Sequence, residues 1–230
     1  MRIRLKKEIV TIGDKSIQPI KMTGKYIDPK KWDTIVNNKN YLLIDTRNNY
    51  EIKIGSFKDA INPNIDSFRE FPKFINQKKI SKDQPIAMFC TGGIRCEKAS
   101  SYLLKKGYKN IYQLNGGILN YLEYKKDKKN STWKGECLVF DNRVSVNKNL
   151  SKGTYDQCYG CRHPITNSEI NSKKYKKGVF CPYCYDKRSE IQKIKSETRQ
   201  RNINILEAKK KSHTFKKIFQ SDIAAAKKIS

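Results

Sequence analysis

The chain has 230 residues, 37% hydrophobic and 31% charged, enough for one sizeable domain and a smaller module. No apolar run approaches the ~18 residues of a membrane span, which excludes a helical membrane protein. Lys and Arg number 49 against 22 Asp and Glu, a formal net charge of +27. Such an excess favours a polyanionic partner, because clustered cations release the counterions of phosphates. The joint abundance of Lys, Asn and Ile also fits a compositional bias of the source genome. The start, MRIRLKKEIV, is basic but lacks the apolar core and cleavage site of a secretory signal. The seven cysteines are therefore expected in a reducing cytoplasm, where paired cysteines serve metals or catalysis more often than disulfides.

In chain order, MRIRLKKEIVTIG alternates apolar and basic residues and reads as a strand. In TGKYIDPKKWDTIV, Asp28 is a candidate N-cap and Pro29 the first helical residue. YLLIDTR is a short apolar run of the buried parallel-strand type, and NNYEIKIG reads as a helical turn. There follow SFREFPKFINQ (helix), QPIAMFC (strand), CEKASSYLLKKGY (helix), NIYQLN (strand) and GGILNYLEYKK (helix). Strands alternating with helices from Tyr41 to Lys126 predict an α/β domain with a mostly parallel sheet. After the charged run KKDKKNSTWKGE, ECLVFDNRVSV reads as a hairpin or two short strands. The last stretch, from Asp186, is basic, and Ile191, Ile194, Ile205 and Leu206 outline one helix. The final AAAKKIS is expected to fray.

One loop carries chemistry. Cys90 ends the strand PIAMF, and a helix begins near Cys96. The backbone N–H groups of Thr91, Gly92, Gly93, Ile94, Arg95 and Cys96 would converge on the Cys90 sulfur. The glycines permit the close approach, and Arg95 adds a fixed positive charge. All these contributions favour thiolate over thiol. Cys90 and Arg95 enclose four residues, one fewer than the loop with which cysteine phosphatases surround a phosphate. The tighter loop suits a persulfide sulfur or an exposed thiolate. Cys96 is a candidate resolving thiol or a helix-start residue. Asp45, Arg47 and Glu51 read as a brace between the first strand of the domain and its helix. Arg69 reads as a phosphate or substrate contact, with a solvated arginine as the plainer alternative. Tyr50, Phe68 and Phe71 are candidates to hold a base, or else core residues.

The second motif is Cys158-x2-Cys161, then Cys181-x2-Cys184. Two such knuckles are expected to make a closed tetrahedral zinc site, whose role is structural because no ligand position stays open, with two redox CxxC pairs or unpaired thiols as the alternatives. Four thiolates with one Zn²⁺ sum to −2, so the chain remains strongly basic. A small module buries too little core to fold readily alone, and metal binding supplies the difference. His163 lies close by but is not needed as a ligand, and Cys137 is a core residue. No flavin, haem or nicotinamide signature is present, and the sequence does not identify protein partners.

CTGGIR between strand and helix, preceded by LLIDTRNNYEIKIGSFKDAINP and followed by YQLNGGILNYL, resembles a rhodanese domain. RLKKEIVTIG, DTRNNYE, NPNIDSFREFP, MFCTGGIRCEKASSYL, YQLNGGILNYLE, WKGECLVFDNRVSV and CYGCRHPIT…CPYC occur in that order. Together they resemble the rhodanese-containing tRNA uridine(34) hydroxylase family, TrhO. That resemblance implies oxygen-dependent 5-hydroxylation of the wobble uridine of tRNA, with molecular oxygen as co-substrate and the cysteine matching Cys90 as the essential residue. Members usually begin with a further α+β domain, so residues 1–24 are expected to hold only its last strand. Residues 25–130 would be the rhodanese domain, 131–186 the zinc module and 187–230 a basic helical tail. A persulfide-carrying sulfurtransferase and a non-catalytic, zinc-stabilised RNA-binding protein remain the alternatives.

Overall fold

The computed structural model describes residues 8–126, 128 and 130–209. The chain divides into two compact units, Met1–Val139 with Val146–Gly153 and Phe140–Ser145 with Thr154–Ser230.

The first unit is built on a four-stranded parallel sheet of β1 (Lys25–Ile27), β2 (Leu42–Asp45), β4 (Ile86–Phe89) and β5 (Ile111–Leu114), in the order β1-β5-β4-β2. Its helices are α1 (Pro29–Asn37), α2 (Asn49–Ile52), α3 (Phe71–Gln77), α4 (Ile94–Lys105) and α5 (Gly117–Lys125). β4 is fully buried, and its alternation divides the core. Ile86 and Met88 face the cluster made by α3, α4, Ile12 and Ile17. Ala87 and Phe89 face the cluster made by α1, α5 and Trp133. A period of two serving two apolar faces is the reason the strand reads as one continuous hydrophobic run. Each large apolar side chain buried here contributes roughly 1.5–3 kcal/mol before entropy is counted.

α1 starts as its sequence dictates, with the Asp28 carboxylate accepting from the Lys30 N–H at 2.8 Å and Pro29 supplying the fixed φ of the first turn. SFREFPKFINQ divides into a 3-10 turn, Phe68–Glu70, and then α3. Phe68 and Phe71 stack on each other inside the core, so neither presents a ring to a base. Three strands of this unit lacked a sequence forecast. β1 is a three-residue edge strand, and β3 (Gly55–Phe57) pairs antiparallel with β6 (Trp133–Gly135). The strand expected at the start lies partly outside the described residues, and residues 8–13 form none. ECLVFDNRVSV yields the short strands β7 (Cys137–Leu138) and β8 (Ser145–Val146), and Cys137 is a buried core residue.

In the second unit, β9 (Asp156–Gln157) and β10 (Pro164–Ile165) form an antiparallel ribbon. α6 (Asn167–Ile170) and α7 (Glu190–Ala208) follow. Ser189 caps α7 in a reciprocal box with Gln192. No described helix is long and apolar enough to cross a membrane.

Candidate functional site

At the carboxyl edge of the parallel sheet, where open α/β sheets place their ligands, three loops meet. They follow β2 (Thr46 to Asn48), β4 (Cys90 to Gly93) and β5 (Asn115 to Gly116). The Thr46 N–H donates to the Phe89 carbonyl at 3.0 Å, which ties the first loop to the end of β4. From the third, the Ile118 and Leu119 N–H groups donate to the carbonyls of Cys90 and Thr91 at 2.9 and 3.1 Å. The free N–H groups that open α5 thus fix the backbone of the cysteine loop. Gly117 makes this possible. Its φ is +68°, and a Cβ there would lie 2.5 Å from the Cys90 carbonyl oxygen.

Within the loop, the Gly93 N–H donates to the Cys90 sulfur at 3.1 Å, with Gly93 at φ +94°. The neighbouring Cys96 side chain is the largest influence lowering the Cys90 pKa. Burial opposes it, and the Arg95 charge with the Arg95 and Cys96 N–H groups acts in its favour, bringing Cys90 down to about 6. Cys96, fully buried, is pushed the other way by desolvation and by the neighbouring Cys90 sulfur, so it stays a neutral thiol. Its sulfur also lies 3.5 Å from the Thr46 hydroxyl. The pair therefore holds one thiolate and one neutral thiol.

Arg95 reaches Cys90 by charge while its guanidinium is gripped by Glu51, through hydrogen bonds of 2.6 and 2.7 Å. Burial alone would raise Glu51; the Arg95 hydrogen bonds and charge outweigh it and hold the carboxyl below its ordinary range. The expected brace is thus divided. Asp45 and Arg47 do brace β2, with Arg47 donating to both Asp45 oxygens at 2.9 and 2.7 Å and to the Gly55 carbonyl at 2.6 Å. Glu51 serves the cysteine loop instead.

Cys90 is only 2% exposed, so the thiolate lies at the base of its loop and is not an open one. The rim is open: Gly92 is exposed and Ile94 is 47% exposed. Thr91 is buried, and its hydroxyl oxygen makes no geometrically sound hydrogen bond among the described residues. Arg69 is not part of the loop. It lines a separate cleft with Lys98, Lys15 and Glu8. Tyr50 is half-buried, its hydroxyl accepting from the Asn48 amide at 3.1 Å.

In the second unit the sulfurs of Cys158, Cys161, Cys181 and Cys184 all lie within 4.8 Å of one another. Three of the separations are 4.0, 3.7 and 3.9 Å. Tetrahedral ligation at a Zn–S distance of ~2.3 Å sets sulfurs ~3.8 Å apart, so the donor set fits a zinc ion in spacing and in chemistry. Each pair sits on a tight turn. Arg162 N–H donates to the Cys158 carbonyl at 2.7 Å, and Cys184 N–H to the Cys181 carbonyl at 3.0 Å. Gly160 is required in the first turn, since a Cβ would meet the Val179 carbonyl oxygen at 2.3 Å. Arg188 and Arg199 hold the surrounding carbonyls, at 2.8 Å to Gly160 and 2.6 Å to Gly178. His163 stacks on Tyr183 and does not join the sulfur cluster.

Residues 28–124 match the rhodanese-like domain family. Among solved structures, a rhodanese-related protein from Thermoplasma volcanium is 27% identical over 44% of this chain and 92% of its own, with a TM-score of 0.37. The reduced CoADR-RHD of Bacillus anthracis is 28% identical over 43% of this chain but only 16% of its own, at 0.37. The single-domain sulfurtransferase RDL2 of Saccharomyces cerevisiae is 23% identical over 45% and 92%, at 0.38. Residues 28–124 are a rhodanese-like domain, with Cys90 at the head of its loop.

Proposed function

We propose that the chain is a tRNA-modifying enzyme that hydroxylates the wobble uridine at C5, with Cys90 as nucleophile. The observation that carries this reading is the Cys90 sulfur at the head of its loop, accepting from the Gly93 N–H beside Arg95 and Cys96, surroundings that lower its pKa, in a chain of net charge +27. The sequence CTGGIRCEKAS and the ordered segments around it support the choice of substrate.

Uracil is an electron-poor enone. A thiolate adding at C6 moves an electron pair to C5, which then reacts with molecular oxygen. One oxygen atom stays on C5 as the hydroxyl. The other leaves as water, taking two electrons and two protons from an external reductant. Loss of the C5 proton with expulsion of the Cys90 thiolate restores the ring double bond. Arg95, Thr91 and the loop N–H groups stabilise the charge that develops on the base. The base must leave its stack, and the loop must open at Gly92 and Ile94 to admit it to Cys90. The zinc in this reading is structural, held by Cys158, Cys161, Cys181 and Cys184. A reducing cytoplasm keeps all seven cysteines available.

A sulfurtransferase is the second reading, favoured by the 2% exposure of Cys90, because a small sulfur donor needs less opening of the loop than a nucleobase does. The test expresses the chain, and its Cys90→Ser variant, in cells lacking endogenous wobble-uridine hydroxylation, with mass spectrometry of digested tRNA. Expected is 5-hydroxyuridine or its derivatives with the native chain and none with the variant. Rapid thiosulfate-to-cyanide transfer with unchanged tRNA would instead establish the sulfurtransferase.

A further inference from the structure

Away from the cysteine loop, the first unit carries a cleft of about 560 Å³ whose lining includes Glu8, Lys15, Gln18, Arg69 and Lys98. A smaller cleft of about 260 Å³ continues from it, sharing Ile17 and Gln18 and passing Lys21 and Lys105. Ile17, in their common wall, belongs to the hydrophobic cluster that contains Cys90 and Cys96. Lys98 stands one helical turn beyond Ile94, the exposed rim of the cysteine loop.

The charges in these clefts are unbalanced. Lys98 pairs with Glu8 at 2.6 Å and Lys105 with Asp14 at 3.4 Å. Lys15, Lys21 and Arg69 are exposed and make no side-chain hydrogen bond or ion pair among the described residues. Five cations therefore meet two carboxylates. Lys98 and Lys105, seven residues apart, lie on one face of α4 about 10 Å apart along its axis. A single small anion would occupy one end of such a track; a ligand with several linked phosphates would occupy all of it. Arg69 offers a planar fork for a phosphate, and the lysines offer mobile point charges.

We propose that this track binds the phosphodiester backbone of RNA, seating the strand that flanks the nucleotide presented to Cys90. The inference rests on the tRNA reading above. Glu8 holds Lys98 in the free protein and opposes the incoming phosphate.

The test measures binding of an unmodified tRNA transcript with a wobble uridine to the full-length protein, by fluorescence anisotropy over a range of KCl concentrations. Replacing both Lys15→Gln and Arg69→Gln is expected to weaken binding by roughly tenfold and to lower the slope of log K against log[salt] by about 1.5. The pair Lys30→Gln and Lys31→Gln on α1, against the other face of the sheet, removes the same charge and should change affinity by less than about twofold. Glu8→Gln should tighten binding several-fold, an effect of opposite sign that unfolding cannot mimic. Equal losses from the two lysine-containing pairs, or no gain from Glu8→Gln, would overturn the track. The modification assay is separate. A track upheld with no hydroxyuridine formed would leave the RNA contact standing and remove the hydroxylase reading. Normal hydroxylation with equal losses would do the reverse.

Discussion

Arg95 turns both terminal nitrogens of its guanidinium onto the Glu51 carboxylate, at 2.6 and 2.7 Å, and Glu51 has no exposed side-chain surface. The charge that favours the Cys90 thiolate is thus anchored by a carboxylate reached from α2. Removing Glu51 leaves Arg95 buried without its counter-charge. Glu51→Ala is expected to lower the unfolding free energy by about 3–5 kcal/mol, read from urea denaturation. Glu51 is held below its ordinary value of 4.5, so its contribution is complete above that pH and is lost as pH falls through the lower, folded value. Native protein should therefore lose stability below about pH 4.5, and Glu51→Gln should lack that share of the loss.

The Cys90 sulfur should titrate in a mildly acidic range. With its ionisation brought down to about 6, the rate of alkylation by iodoacetamide should rise with a midpoint near that pH, against ~8.5 for a free thiol. Mass spectrometry of the Cys90 peptide isolates this site from the other six cysteines. Burial slows the reaction at every pH but leaves the midpoint in place. Cys96→Ala removes the largest lowering influence, so the midpoint should move up. A midpoint unchanged in that variant would show that the Cys96 side chain does not lower the Cys90 pKa.

Much of this arrangement is legible in the sequence because local and tertiary preferences agree there. PIAMF is apolar on both sides of its pleat because β4 is covered on both faces, and it delivers Cys90 to the edge where α4 begins. Asp28-Pro29 fixes the start of α1 without help from the rest of the chain. The two CxxC pairs predict their own convergence. What escaped was whatever depends on partners distant in sequence. β1 and the β3–β6 ribbon are three-residue strands with no periodicity to detect, defined only by pairing. Glu51 reads as one member of the brace with Asp45 and Arg47. Nothing in its spacing reveals that a residue 44 positions later takes its charge. Phe68 and Phe71 read as candidate base platforms but more readily as core, and their burial at the 3-10 turn and the start of α3 decides the matter.

The glycines near the loop should respond unequally to substitution. A Cβ at Gly117 would meet the Cys90 and Thr91 carbonyl oxygens at 2.5 and 2.7 Å and the Gly93 nitrogen at 2.8 Å. All three contacts are backbone and cannot rotate away, and φ is +68° there. Gly117→Ala is expected to cost about 1–3 kcal/mol for overpacking, with a further contribution from the left-handed backbone. It should also raise the midpoint of Cys90 alkylation, because the loop N–H groups no longer converge. Gly92 has nothing within 4 Å of the corresponding position. Gly92→Ala should leave both thermal midpoint and Cys90 titration nearly unchanged.

Metal removal should separate the two units by stability. Four thiolates confined within 4.8 Å of one another repel strongly, and a bound dication is what would let them deprotonate together. Among its described residues the second unit has a small apolar cluster, whose buried members are Ile165 and three of these same cysteines. Its folding free energy is therefore expected to come chiefly from zinc. Elemental analysis of purified protein should give one zinc per chain, and cobalt substitution should produce the charge-transfer and visible bands of tetrahedral thiolate ligation. Chelation, or Cys161→Ser, should expose the stretch from Tyr155 to Arg188 to limited proteolysis. The α/β domain draws its core from two separate clusters and contains none of the four cysteines, so its unfolding transition should persist. Resistance of the cysteine module to protease after complete metal removal would mean that its packing and hydrogen bonds suffice, and that the cysteines serve another chemistry.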